Sequence, residues 1–130
     1  FADEYYGFDD AIYAGARLLS LLSRNDKSLS EMLTDIPHYY STPEIRVPST
    51  DVAKFDVVKR VIQHFSPKYP ILDVDGARIT FPGGWGLVRA SNTGPELIIR
   101  CEGSSPHTLE NIKHELFSYL KEADLLIASS

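Results

Sequence analysis

Apolar residues recur at helical spacing in the first part of this chain and at shorter, strand-like spacing in much of the rest. Residues 8–23 carry apolar side chains around most of a helix, which Asp9 or Asp10 is placed to cap. A capping-box spacing that begins at Ser28 predicts a second, short helix. We therefore predict a helical segment with a linker over residues 1–40.

Two amphipathic helices are predicted beyond residue 40. The first follows a strand over residues 44–47 and has Asp51 as its predicted cap. Its apolar stripe consists of Phe55, Val58, Ile62 and Phe65. The second has Ser105 as its cap and Pro106 at its first position. Its apolar stripe consists of Leu109, Ile112, Leu116 and Leu120. Because each stripe covers one side of its helix, we expect both helices to pack on a flat apolar surface.

A β-hairpin is predicted where Asp-Gly at positions 75–76 separates two apolar runs. A two-residue loop would place Leu72 opposite Ile79 and Asp73 opposite Arg78. The residues then expected on the buried face are Leu72, Val74, Ile79 and Phe81. Two further strands are predicted through Leu87-Val88 and Leu97-Ile98-Ile99, on either side of a loop.

The order of these elements predicts an α+β fold. From residue 44 onward it reads strand, helix, two hairpin strands, two more strands and a helix. The simplest arrangement is an antiparallel sheet of about four or five strands with both helices on one face, preceded by the N-terminal helical segment. We assign this second unit to residues 41–130.

Composition narrows the range of partners. The chain has 130 residues, a net charge of −5 and one cysteine. An acidic chain is a poor binder of nucleic acid, and one cysteine excludes an internal disulfide and makes a cysteine-built metal site implausible. No apolar run approaches the roughly 18 residues of a membrane span. We expect a cytoplasmic protein with no membrane or nucleic-acid partner.

The loop between the last two strands concentrates polar donors. Arg89, Ser91, Asn92 and Thr93 lie within five positions, and Arg100 ends the next apolar run. A guanidinium with hydroxyl, amide and backbone N–H donors is the set that a phosphate monoester requires. Two plainer interpretations stay open at this point: a solvated loop that caps its own backbone, and an Arg100 that pairs across an exposed sheet face.

The sequence over residues 84–100, GWGLVRASNTGPELIIR, resembles the phosphate-binding loop of the α-D-phosphohexomutases. The Ser-Asn-Thr form is closest to their bacterial phosphomannomutase/phosphoglucomutase branch. Residues 40–47 and 7–14 resemble the same family in the same order. The resemblance covers the family's last domain and the closing helix of the third, and we therefore expect a piece of a longer enzyme with a TATA-binding-protein-like sheet.

In such an isomerase, the resemblance implies transfer of a phosphoryl group between C1 and C6 of a hexose phosphate. It assigns Arg89, Ser91, Asn92, Thr93 and Arg100 to binding the substrate phosphate. The catalytic serine loop and the loop that binds Mg²⁺ are not in this sequence. The expected partners are therefore the substrate and the missing domains, and we expect the chain alone to be inactive, with no catalytic residue and no metal site.

Two other classes of function remain as alternatives. A stand-alone α+β module could bind a small anion or a peptide for regulation. A sheet that binds RNA is the weaker alternative, since the acidic balance opposes it.

Overall fold

Two capped helices form the first unit of the chain. The computed structural model describes residues 4–123, and the chain divides between Pro37 and His38. The first unit contains α1 (Ala11–Ser23) and α2 (Leu29–Met32). That this unit is the remainder of a preceding domain stays a prediction.

The caps of both helices follow from local sequence. Asp10 caps α1 by accepting a hydrogen bond of 2.8 Å from the Tyr13 N–H. Ser28 and Glu31 form the predicted capping box of α2. The hydrogen bonds from Ser28 lower the pKa of the Glu31 carboxyl, because they favour its charged form.

The second unit is an antiparallel sheet covered by two helices. Its elements are β1 (Tyr40–Ser41), β2 (Ile45–Pro48), α3 (Ala53–Phe65), β3 (Ile71–Leu72), β4 (Ala77–Phe81), β5 (Gly84–Ala90), β6 (Glu96–Gly103) and α4 (Pro106–Glu122). The strand order is β1-β6-β5-β4-β3, and β2 also pairs with β6. The predicted α+β class is confirmed.

The described residues contain six strands instead of four or five, because two short strands flank β6 on the same side. Thr42 lies between β1 and β2. Its N–H donates to the Cys101 carbonyl at 2.9 Å, and its hydroxyl oxygen accepts from the Cys101 N–H at 3.1 Å. The side chain of Thr42 thus takes the place of a backbone partner where the edge is broken.

Both helices pack on one face of the sheet, as predicted. The largest fully buried side chains at this interface are Val61, Phe65, Ile79, Val88, Leu97, Ile99, Cys101, Leu116 and Leu120. Ser105 caps α4 by accepting from the Thr108 N–H, and Pro106 occupies the first turn. Burial raises the pKa of the Cys101 thiol to about 11, so this cysteine is a core residue and not a nucleophile. No helix among residues 4–123 is long and apolar enough to cross a membrane.

The prediction for the start of α3 was wrong. Its first turn is capped from Thr50, whose hydroxyl accepts from the Ala53 N–H at 3.0 Å, and Asp51 makes no cap. Phe55, predicted in the buried stripe, is 53% exposed. The row that faces the sheet consists of Lys54, Val57, Val61 and Phe65. The helix is rotated because Lys54 points inward, to partners described below.

The predicted hairpin register was also wrong. Ile71 pairs with Ile79 and Leu72 with Arg78, which is a shift of one residue from the expected pairing. The connection spans residues 73–76 instead of two residues. A shift of one position exchanges the faces of a strand, so Leu72 and Val74 are exposed where burial was predicted.

The register can be tested by truncating one residue from each face. Ile79→Ala removes a fully buried side chain, and we expect it to lower the free energy of unfolding by about 2–5 kcal/mol. Leu72→Ala removes a side chain that is 55% exposed, and we expect a loss of about 0.5 kcal/mol at most. Urea denaturation measures the free energy of unfolding of both variants. Equal losses would show instead that Leu72 lies on the buried face.

Candidate functional site

The polar loop connects the two longest strands of the sheet. β5 and β6 pair over their whole facing length, with Arg89 opposite Ile98 and Ala90 opposite Leu97 at the loop end. The Ser91 N–H then donates to the Glu96 carbonyl at 2.9 Å and closes the base of the loop. The ends of the loop are therefore fixed by the sheet.

Arginines dominate the face of the sheet that is turned away from α3 and α4. Residues paired across antiparallel strands point to the same side. Arg46 and Arg89 flank Ile98, while Arg78 and Arg100 flank Leu87 in the next row. We call these four arginines the arginine face. Glu96 and Glu102 of β6 lie on the same face, so part of this positive charge is balanced within the sheet.

The four guanidinium groups are not equally engaged. Arg46 donates to Glu96 at 2.9 Å and to Glu44 at 2.7 Å, and these bonds raise its pKa. Arg78 lies over the ring of Trp85, with its guanidinium carbon 4.7 Å from the ring centroid. This contact replaces the predicted pairing of Arg78 with Asp73, which was wrong.

Arg89 and Arg100 are the less engaged members. Nη1 of Arg89 is 3.6 Å from Oδ2 of Asp75, in a pair whose side chains are 28% and 70% exposed. An exposed pair of this kind contributes about 0–1 kcal/mol, so an incoming anion can displace it. The Arg100 side chain is exposed and makes no hydrogen bond or ion pair with residues 4–123. The alternative interpretation, in which Arg100 pairs across an exposed sheet face, is therefore not observed among the described residues.

The three polar loop residues are placed differently from one another. Asn92 and Thr93 are exposed, whereas Ser91 is 1% exposed. The Ser91 hydroxyl oxygen accepts from the Thr93 N–H at 3.3 Å and lies 3.4 Å from the Thr93 hydroxyl. Ser91 thus shapes the loop from inside, while Asn92 and Thr93 are exposed on the loop. The interpretation of a loop that caps its own backbone describes Ser91 but not Asn92.

A buried lysine lies beneath the loop, and the sequence analysis missed it. Nζ of Lys54 donates to the Ser91 carbonyl at 2.9 Å and to the Gly94 carbonyl at 3.0 Å. Its remaining donor meets Oδ1 of Asp51 at 2.9 Å. The one signal in the sequence is that Lys54 continues the Val57, Val61 and Phe65 row at helical spacing.

A glycine places Asp75 beside Arg89. Gly76 has a φ of +96°, and a Cβ built on it would lie 2.5 Å from Cβ of Arg89 and 2.6 Å from the Val88 carbonyl oxygen. Only glycine allows this conformation and this approach together. The turn at residues 75–76 therefore packs directly on β5 and brings a carboxylate to the candidate site.

The described residues offer no metal centre. Among residues 4–123, no group of three or more His, Cys, Asp or Glu side chains could hold a metal ion. The donors that converge on the loop are guanidinium, amide, hydroxyl and backbone N–H groups, which suit an anion and not a cation.

Comparison with known proteins places this loop in context. Residues 44–118 match the family model described as phosphoglucomutase/phosphomannomutase, C-terminal domain. The chain is similar to a phosphomannomutase/phosphoglucomutase of Pseudomonas syringae pv. tomato, with 38% identity over 94% of this chain and 26% of the relative. It is also similar to a phosphoglucomutase of Neisseria meningitidis serogroup B, with 36% identity over 98% of this chain and 28% of the relative.

A solved structure gives the same result. An X-ray structure of a phosphoglucomutase/phosphomannomutase family protein from Burkholderia thailandensis matches 95% of this chain with a TM-score of 0.77 and 35% identity. The match covers 26% of that structure's chain. The chain thus spans about a quarter of the length of the proteins that it resembles.

The contact between Gly76 and Arg89 can be tested with Gly76→Ala. The added methyl group meets the backbone of β5 at a positive φ, and we expect unfolding to become easier by more than about 1 kcal/mol. Gly94→Ala is the control, because a Cβ there has no atom within 4 Å. Urea denaturation compares the two variants. Equal stability would show that the turn does not pack on Arg89.

Proposed function

Because the chain belongs to the phosphoglucomutase/phosphomannomutase family, as the resemblance predicted, we propose that it binds the phosphate group of a hexose phosphate as the C-terminal domain of a phosphohexomutase. The observation that carries the proposal is the pair of weakly engaged guanidinium groups beside an exposed polar loop. Within the described residues Arg89 has only its long contact with Asp75, and the Arg100 guanidinium has no ion pair.

Each loop residue then has a distinct role. Arg89 exchanges its long contact with Asp75 for a phosphate, to which it can present two parallel N–H donors. Asn92 and Thr93 contribute donors from the exposed side of the loop. Ser91 lies beneath them, and its hydroxyl can donate its own hydrogen to the anion while its oxygen still accepts from the Thr93 N–H. Arg100 adds charge from the neighbouring row.

This binding contributes to catalysis by holding the substrate in place. In the proposed reaction, phosphate moves between C1 and C6 of a hexose, and the domain anchors the phosphate that does not react. Binding energy from a remote group can fix the reacting end in a productive position. We infer that this anchoring, and no bond-making step, is the contribution of residues 4–123.

The other elements of the proposal lie outside this chain. The residues that the structure describes do not fit a Mg²⁺ site, so the metal that the family resemblance implies belongs in our proposal to the rest of the polypeptide. The same holds for the catalytic serine. The missing domains are the proposed partners, and a cytoplasmic location is the proposed setting.

The proposal can be tested by titrating the chain with glucose 6-phosphate and following amide chemical shifts. We expect changes confined to the segment from Arg89 to Arg100, and we expect Arg89→Ala to abolish them. Asp75→Asn removes the competing carboxylate, and affinity should stay the same or rise up to about fivefold, the equivalent of about 0–1 kcal/mol.

Arg78→Ala is the matched control, because it removes an arginine from the same face that is stacked on Trp85. It should leave the affinity of the loop unchanged. Shifts that disappear in Arg78→Ala but persist in Arg89→Ala would place the anion elsewhere and contradict the proposal.

A further inference from the structure

Lys54 is a buried charged residue of the second unit that has no role in the proposed function so far described. The residue is 6% exposed, although lysine is almost never buried unless it is paired. Its three donors all have acceptors, and two of these are backbone carbonyls of the polar loop. Transferring a charged group from water to the protein interior costs free energy. Anchoring α3 alone does not require a charged residue at this position.

The two carbonyls determine what Lys54 does to the loop. Ser91 is the first residue after β5, and Gly94 is the fourth, so a single ammonium group holds both ends of the turn from beneath. A carbonyl oxygen directed outward would repel a phosphate. With both oxygens drawn toward Nζ, neither faces the exposed side of the loop.

The same bond orients a donor outward. No cis peptide bond is present among the described residues, and in a trans peptide the carbonyl and the following N–H point in opposite directions. Because the Ser91 carbonyl points down to Lys54, the Asn92 N–H points away from it. This N–H has no acceptor among residues 4–123. The donor is therefore free on the side of the loop that is turned away from Lys54.

We propose that Lys54 is a positioning residue of the phosphate site, which holds the Ser91 and Gly94 carbonyls inward and thereby presents the Asn92 N–H to the anion. This inference rests on the proposed function. Lys54 itself does not touch the ligand. Asp51 occupies its third donor from the exposed side and takes no part in shaping the loop.

The test is a phosphate titration of Lys54→Met, which keeps the length of the side chain and removes its donors. We expect affinity for inorganic phosphate and for glucose 6-phosphate to fall about tenfold or more, as for loss of an oriented donor to a charged group. Lys68→Met is the matched control, because Lys68 pairs with Glu115 on the surface. Asp51→Asn is the second control. Both should bind as the unaltered chain does.

A purely structural role makes a different prediction. It would lower the free energy of unfolding of Lys54→Met without changing the affinity of the folded fraction, and that result overturns the inference. The unaltered chain gives an independent readout if Lys54→Met does not fold. On adding phosphate, the Asn92 amide proton should show the largest downfield shift within residues 91–96. A response of its neighbours without Asn92 overturns the role of Lys54 and leaves the proposed function standing. No response of the loop at all overturns both.

Discussion

The antiparallel pairing of β5 with β6 is the constraint on which the rest of the second unit depends. It runs from Gly84 opposite Gly103 to Ala90 opposite Leu97. On one face it aligns the apolar residues that receive α3 and α4. On the other it sets Arg89 and Arg100 in neighbouring rows. The loop is fixed in position because it joins two strands that the remainder of the sheet already holds.

Charge on the arginine face is controlled by local partners. Glu44 and Glu96 engage Arg46, and the Trp85 ring covers Arg78. The positive groups left for a ligand are Arg89, next to the loop, and Arg100, one row farther along the sheet. Asp75 contacts the Arg89 guanidinium only at long distance, and breaking this ion pair costs little free energy. In the proposed function, this weak contact would let Arg89 exchange Asp75 for a phosphate and release the phosphate readily.

Much of the secondary structure in both units could be predicted because its signals are local. The Ser105 cap, the Ser28 capping box and the alternation along β6 each depend on residues a few positions apart. The hairpin register could not, because it depends on Gly76 packing against Arg89 on a different strand. Lys54 could not either, because its acceptors in the loop are backbone carbonyls, which any residue supplies. The loop residues were proposed as a binding site from their chemistry, and their division into a buried Ser91 and an exposed Asn92 and Thr93 required the structure.

In the proposed site, the guanidinium of Arg89 and the exposed side of the loop hold a phosphate group. A crystal structure of the chain grown with saturating glucose 6-phosphate would reveal the position of that phosphate. We expect phosphate oxygens at about 2.7–3.2 Å from the Arg89 guanidinium and the Asn92 N–H, with Asp75 released. A phosphate bound elsewhere on the arginine face, with Arg89 still paired to Asp75, would contradict it.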